Sequence, residues 1–363
     1  MSSASPNQPS PTAAAGPGVL VWLRAEQASL VRLVAAGTGL AIVGAGGPGP
    51  DRGAAAAAAL GVPHADDLRA ALSTTEATVA LLADPGTFGE GSATEDASLL
   101  RAFASRAGRT LSLEPLPAAL VGNPSGASMA TDDTATASTN PEWARFVPLA
   151  RWRRPMREAL ELLESFGPVR SASLLCLSHP SDGSLGARLF DALDLLSAFL
   201  GHPETVDAAF VGTEAGRGIH ALPGENLRGL HGDMTANLRF ADGRSAALFA
   251  SDQAGTWERS LTLVGPGGRL RVSDAGLEWI DAAGRRLDKS RAAPDAPASP
   301  GSAAAEMIAE QVRLSLSAGS GAPCVPAFSR TLAAVQAALL SARTREGEHP
   351  GTLLRMAGLD EHG

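Results

Sequence analysis

The chain has 363 residues, a net charge of −8, 44% hydrophobic residues and only 4% aromatics. That length holds two domains with buried cores, the apolar fraction excludes a disordered chain, and the acidic balance argues against nucleic acid or an anionic membrane as the main partner. Its 30 basic residues include a single lysine, Lys289, and tyrosine is absent, so acid/base work by Lys or Tyr is almost excluded.

Met1 to Gly18 is rich in Ser, Pro and Ala, without a basic start and apolar core, and reads as a disordered tail over residues 1–18. Val19–Leu23 reads as a buried strand and Ala25–Ala36 as a helix with Leu30, Val31 and Val34 on one face. Leu40–Val43 is a second strand. Ala54–Leu60 is a helix closed by Gly61, and Asp66–Leu72 is another with Asp66 as N-cap. Thr78–Ala83 is a strand ended by Asp84-Pro85-Gly86, Glu95–Ala107 a helix, and Thr110–Leu113 a strand. Alternation at this spacing predicts a parallel sheet with helices on both faces over residues 19–121.

Gly122 to Asn140 loses all periodicity, so 122–141 reads as a linker or loop. Over 142–350 the pattern changes class. Arg157–Ser165 and Ala187–Leu200 read as helices. Val169–Ser178, Thr205–Gly212, Gly232–Phe240, Arg244–Ser251, Arg259–Val264 and Arg269–Val272 read as strands, with hairpin turns at Ala241–Arg244 and Gly265–Gly268. This predicts an α+β domain built on a large, mainly antiparallel sheet. Ala292–Ser302 reads as a loop that leaves Lys289 solvated, and Ala304–Ser317 and Ser329–Thr344 close the chain as helices. Cys176 and Cys324 have no local pairing or ligand spacing and read as free thiols; nor do His220, His231 and Asp233 match a metal pattern. With no apolar run of eighteen residues, a cytoplasmic location is expected.

Gly44-Ala45-Gly46-Gly47-Pro48-Gly49 fits G-x-G-x-x-G between a strand and an alanine-rich helix. Such glycines let a backbone approach a pyrophosphate at a helix N-terminus, so Gly44, Gly46 and Gly49 are candidate NAD or NADP contacts, with Asp84 and Pro85 of the later strand end.

The order of weaker motifs resembles the Gfo/Idh/MocA oxidoreductases over about residues 19 to 350. These motifs are Ala55–Leu72, Thr78–Pro85, Leu113-Glu114-Pro115-Leu116, Arg153-Arg154-Pro155 through Val169, Gly183 to Asp194, the hairpins at Phe240–Gly243 and Leu263–Gly268, and Ser341-Ala342-Arg343. The resemblance implies a Rossmann-like NAD(P)-binding domain, a sheet domain for substrate and subunit pairing, and hydride transfer to or from a sugar or cyclitol. It places the cofactor turn after the first strand, where Leu23-Arg24-Ala25-Glu26-Gln27 contains no glycine. Gly44–Gly49 then falls one strand late, unless Leu40–Val43 is the first strand. The catalytic lysine position is Glu114 and the histidine position is Asp191, with only Asp194 retained. His179, in the loop before that segment, is the histidine able to reach the cleft, and Arg153 is the substrate-side basic candidate.

Three expectations follow. One is a pseudoenzyme of this fold that binds a sugar-like ligand or pairs with an active paralogue. Another is a working NAD(P) oxidoreductase with a shifted site, in which Gly44–Gly49 holds phosphate and His179 or Asp191 handles the proton. The last is a purely structural subunit. A homo-oligomer formed through the C-terminal sheet is compatible with each.

Overall fold

The computed structural model describes residues 16–90, 93–120, 144–214, 218–220, 222, 227–291, 302–317 and 327–359. The expected linker, the first fifteen residues of the expected tail, the loop from 292 to 301 and Cys324 lie outside them. Among the described residues, no helix is long and apolar enough to cross a membrane.

The first layer is a parallel five-stranded sheet. Its strands are β1 (Gly18–Trp22), β2 (Ala41–Gly46), β3 (Val79–Leu82), β4 (Arg109–Ser112) and β5 (Arg145–Phe146), in the order β2-β1-β3-β4-β5. Helices α1 (Ala28–Thr38), α2 (Pro50–Leu60), α3 (Leu68–Thr74) and α4 (Ala93–Ser105) join the first four strands. α1 buries Leu30, Val31 and Val34, the face its spacing predicts, and ends at Gly39 in the left-handed conformation. α2 starts on Pro50, whose missing N–H costs nothing in a first turn, and ends at Gly61. Residues distant in sequence complete this layer. β5 adds a strand at 145–146, and α7 (Ser302–Ser317) packs on α1 through Ala304, Met307, Ile308 and Val312.

The second layer is a nine-stranded sheet, β14-β13-β12-β11-β6-β10-β9-β7-β8. It comprises β6 (Ser171–Leu177), β7 (Thr205–Glu214), β8 (Gly218–His220), β9 (Gly232–Arg239), β10 (Ser245–Ser251), β11 (Glu258–Gly265), β12 (Gly268–Ser273), β13 (Gly276–Ile280) and β14 (Arg286–Arg291). Every pairing is antiparallel except β6 with β10. Alternation along these strands turns Leu174, Met234, Leu248 and Leu261 inward. They meet α6 (Leu185–Leu200) and α8 (Phe328–Thr344), while α5 (Arg154–Phe166) lies against β12 and β13 and α9 (Pro350–Met356) closes on α8. The Phe146, Phe190 and Phe328 rings stack in this core at centroid separations of 5.1 and 5.0 Å. β13 and β14 go beyond the strands read from sequence. Lys289 is solvated as expected, but it sits on the edge strand β14 and not in a loop. An exposed edge strand buries neither face, so Arg-Leu-Asp-Lys-Ser-Arg shows little apolar alternation.

The glycine-rich stretch ends β2, the edge strand, with Gly44–Gly46 and leads on to α2; it does not follow the interior β1. Two of its glycines, Gly46 and Gly47, are pressed against the protein's own atoms. A Cβ on Gly46 would fall onto the Trp22 indole and the Ala65 carbonyl, and one on Gly47 onto the Leu23 carbonyl. One on Gly53, in the first turn of α2, would lie 2.8 Å from His64 Nε2. Gly46→Ala should therefore destabilise by about 1–3 kcal/mol through overpacking against Trp22. Denaturant unfolding measures this, and a neutral effect would show that the glycine is kept for something outside the fold.

Candidate functional site

The carboxyl ends of β1 to β4 face the second sheet across a cleft of about 330 Å³. Ligands of open α/β sheets bind at this end of the strands. The first layer lines the cleft with Arg24, Pro48, Arg52, Asp84, Glu90 and Glu114; the second contributes Ser184, Arg228 and His231.

The turn after β1 is a tight 3-10 turn, Ala25–Gln27. Gln27 is fully buried; its Oε1 accepts the Arg24 N–H at 3.0 Å and its Nε2 donates to the Ala83 carbonyl at 3.2 Å. A backbone donor at this helix entry is thus taken by the chain itself. The Arg24 side chain then spans the cleft. It donates to the Pro180 carbonyl at 3.0 Å, stands 3.4 Å from His231 Nε2, and lies 3.4 Å from both Asp84 and Glu26. Arg228 makes a second crossing and donates to the Gly86 carbonyl at 2.8 Å and to that of Phe88.

His231 and Asp252 form a pair at the mouth of the β9–β10 hairpin. Ser251 pairs with Asp233, so Asp252 comes opposite Gly232, the residue next to His231. Asp252 is fully buried; one oxygen contacts His231 Nδ1, while the other accepts the Gly232 N–H at 2.8 Å and Gln253 Nε2 at 2.9 Å. A carboxylate at Nδ1 assigns the proton there and leaves the Nε2 lone pair facing the cleft and Arg24. Arg24, Arg228, His231 and Asp252 are absent from the sequence-based candidates. The only signal for the His–Asp pair was hairpin register, which spacing alone does not reveal.

The expected site residues separate into two groups. Asp84 lines the cleft, with Oδ1 accepting the Gly86 N–H at 2.9 Å, and Pro85 continues the same turn. Glu114 also lines it, just past β4. Its carboxyl accepts the Ser184 N–H at 2.8 Å and the Ser184 hydroxyl at 2.6 Å, and Ser184 in turn N-caps α6. Burial pushes the Glu114 carboxyl above the ordinary glutamate range despite these bonds. Gly44 and Gly46 sit on β2 beside Leu20 and Trp22, and Gly49, at a positive φ of 87°, is the N-cap residue of α2.

Four other candidates are used by the fold. Asp191 is fully buried, accepts the Ala150 N–H at 2.5 Å and pairs with Arg259 at 2.8 Å; Arg259 also grips Asp274. These carboxylates keep the Arg259 guanidinium charged against its burial. Asp194 is buried 2.6 Å from Arg151. Arg153 pairs with Glu310 of α7 and is not among the cleft residues. His179 is exposed, and its Nδ1 bonds back to Ser181 of its own turn. Sequence order brings these residues near the cleft, but side-chain direction and pairing turn them elsewhere. Cys176 is a buried free thiol pushed up to about 12 by burial, which leaves it inert. Among the described residues, no group of three His, Cys, Asp or Glu could hold a metal ion.

No family model and no curated protein matches the chain. Solved structures do. An oxidoreductase from Agrobacterium radiobacter in complex with NAD+, L-tartaric acid and magnesium has a TM-score of 0.60 at 18% identity, covering 93% of this chain and 99% of that one. Levoglucosan dehydrogenase in complex with NADH and L-sorbose has 0.60 at 15%, covering 92% and 98%. UDP-N-acetylglucosamine 3-dehydrogenase from Acidithiobacillus ferrooxidans has 0.54 at 15%, covering 90% and 97%. At these identities the likeness is one of fold. It spans both layers and bears out the expected Rossmann-like sheet followed by a mainly antiparallel one.

Burial pushes Asp194 up to about 7 from an ordinary 3.8, with Arg151 opposing. The folded state then keeps a proton that the unfolded chain releases. The stabilising contribution of Asp194 is complete below pH 3.8 and is lost as pH rises through about 7. Asp194→Asn should flatten the fall in unfolding free energy across that window, as read by denaturant titrations at several pH values. An unchanged slope would mean that Arg151 keeps Asp194 ionised throughout.

Proposed function

We propose that the chain is a divergent protein of the Gfo/Idh/MocA type that binds a small polar ligand between its two layers and does not transfer hydride to or from NAD(P). The observation that carries this reading is the turn after β1. It does not fit a pyrophosphate: Gln27 takes the Arg24 N–H, no glycine permits close approach, and the Arg24 side chain crosses the space to Pro180 and His231. The later Gly44–Gly49 stretch is no substitute, because Gly46 and Gly47 are packed by Trp22, Ala65 and Leu23. The lysine and histidine positions support the same reading. Glu114 offers a carboxyl where an ammonium is needed, and Asp191 is locked between Arg259 and the Ala150 N–H.

What persists is a polar cleft with a histidine lone pair, guanidinium groups and carboxyls. The Agrobacterium oxidoreductase and levoglucosan dehydrogenase are each described with a nicotinamide and a small oxygen-rich compound. This chain keeps groups suited to the second kind of ligand. Calorimetry with NAD(H) and NADP(H) should show no micromolar binding, and no sugar or cyclitol should support NAD(P)+ reduction above background. A micromolar Kd for either dinucleotide would overturn the reading. A thermal-shift screen of small sugars and hydroxy acids should give hits that His231→Ala weakens about tenfold, the scale of one lost hydrogen bond of about 1 kcal/mol or slightly more.

A specific feature favours pairing as well. Val211, Phe249 and Val264 remain 41, 37 and 37% exposed, and strand register puts all three on the outward face of the second sheet. A second copy of this chain, or an active paralogue, covers that face in our reading. Val264→Glu should convert the assembly to monomer in sedimentation velocity without changing the far-UV spectrum; a monomeric wild-type chain would sink the idea of self-pairing.

A further inference from the structure

Arg188 is the charged group that nothing so far explains. It lies in the first turn of α6 and is fully buried. Among the described residues its Nε, Nη1 and Nη2 make no hydrogen bond, and no carboxylate oxygen lies within 4 Å of them. Its guanidinium lies over the Trp257 indole, whose centroid is 4.2 Å from Cζ, and the buried carboxyls of Glu114 and Asp182 act on its charge only from beyond hydrogen-bond distance. A desolvated guanidinium with five unused donors is strongly unfavourable, and native proteins keep such groups where an anion or a ligand answers them.

The side chain curls toward the start of α6, as long helical side chains do. A Cβ placed on Gly183 would lie 3.5 Å from Arg188 Nη2 and 3.7 Å from Glu114 Oε1. Gly183 therefore separates the buried guanidinium from a residue that lines the cleft, and it presents no side chain there. Its φ of 132° is a conformation that disfavours any replacement. On the cleft side of this glycine, the Ser184 N–H and hydroxyl already seat one carboxyl, that of Glu114.

We propose that Gly183, Ser184, Arg188 and Glu114 form a subsite for a carboxylate of the cleft ligand, which docks past Gly183 onto the Arg188 guanidinium. The inference rests on the ligand-binding reading and narrows it to small organic acids. Arg188 supplies the planar fork that matches a carboxylate, and Trp257 holds that fork by its face. Burial raises the Glu114 carboxyl above its ordinary value, which eases the approach of a second carboxyl beside it. The remainder of the ligand extends into the cleft toward His231.

The test uses the full chain in buffer free of carboxylates and phosphate. Acetate, malonate and L-tartrate are titrated, with inorganic phosphate as a separate arm, while Tm and tryptophan emission are read; Trp257→Phe identifies the reporting indole. We expect a saturable rise in Tm and a Trp257 signal with the carboxylates. Arg188→Met should be at least as stable as wild type without carboxylate, because an unanswered buried charge is gone, and should lose the response at least tenfold. Arg188→Lys should lose most of it with the fork. The same carboxylate response in Arg188→Met would overturn the proposal, as would no response in wild type or a response to phosphate alone. NAD(H) calorimetry is read independently: dinucleotide binding with an intact Arg188-dependent carboxylate response would sink the proposed function and leave this subsite standing.

Discussion

Burial of charge on α6 is the constraint around which the rest is arranged. Fourteen of its sixteen residues are buried, and three of those, Arg188, Asp191 and Asp194, are ionisable and three positions apart. A helix without a solvated face cannot hold bare charges, so each must be answered by its surroundings. Asp191 draws Arg259 from β11 and the Ala150 N–H from the 3-10 turn before α5. Arg259 draws Asp274, and Arg153 stands 3.8 Å from the same carboxylate while pairing with Glu310 of α7. A chain of ion pairs thus ties the second sheet to the helix that covers the first. Asp194 draws Arg151, and Arg188 is left without a hydrogen-bond partner among the described residues.

The cleft itself is held by two arginines that cross it in opposite directions. Arg24 reaches from the end of β1 to Pro180 and His231, and Arg228 reaches from the loop before β9 back to Gly86 and Phe88. Each makes hydrogen bonds to backbone carbonyls, so the crossings position loops and not only charges. One side chain therefore links the turn after β1 to His231 across the cleft.

Much of the fold was legible in the sequence. The strand–helix alternation to Leu113, the switch to antiparallel pattern, the hairpins at Asp242-Gly243 and Pro266-Gly267, and the apolar face of α1 all rest on local periodicity and turn chemistry. The candidate site was legible only as residue types: one lysine in the chain, no glycine after β1, and Glu114 and Asp191 at the positions that the resemblance singles out. The groups that do face the cleft were not legible. His231 and Asp252 are 21 residues apart and meet only through the β9–β10 register, and Arg24 and Pro180 meet only because two layers pack.

The sequence by itself determined the two-layer architecture, the single lysine and the absence of glycine from the turn after β1, because composition, periodicity and turn residues act over a few neighbours. Tertiary structure decided what the remaining polar residues do. It put Gly44–Gly46 on the edge strand, with Gly46 pressed against Trp22, and it locked Asp191 in an ion pair. It also brought Arg188 within one glycine of the cleft. The physical reason is that burial, pairing and side-chain direction belong to the packed whole, so the same Arg or Asp is a surface charge, a structural ion or a ligand contact according to what folds against it.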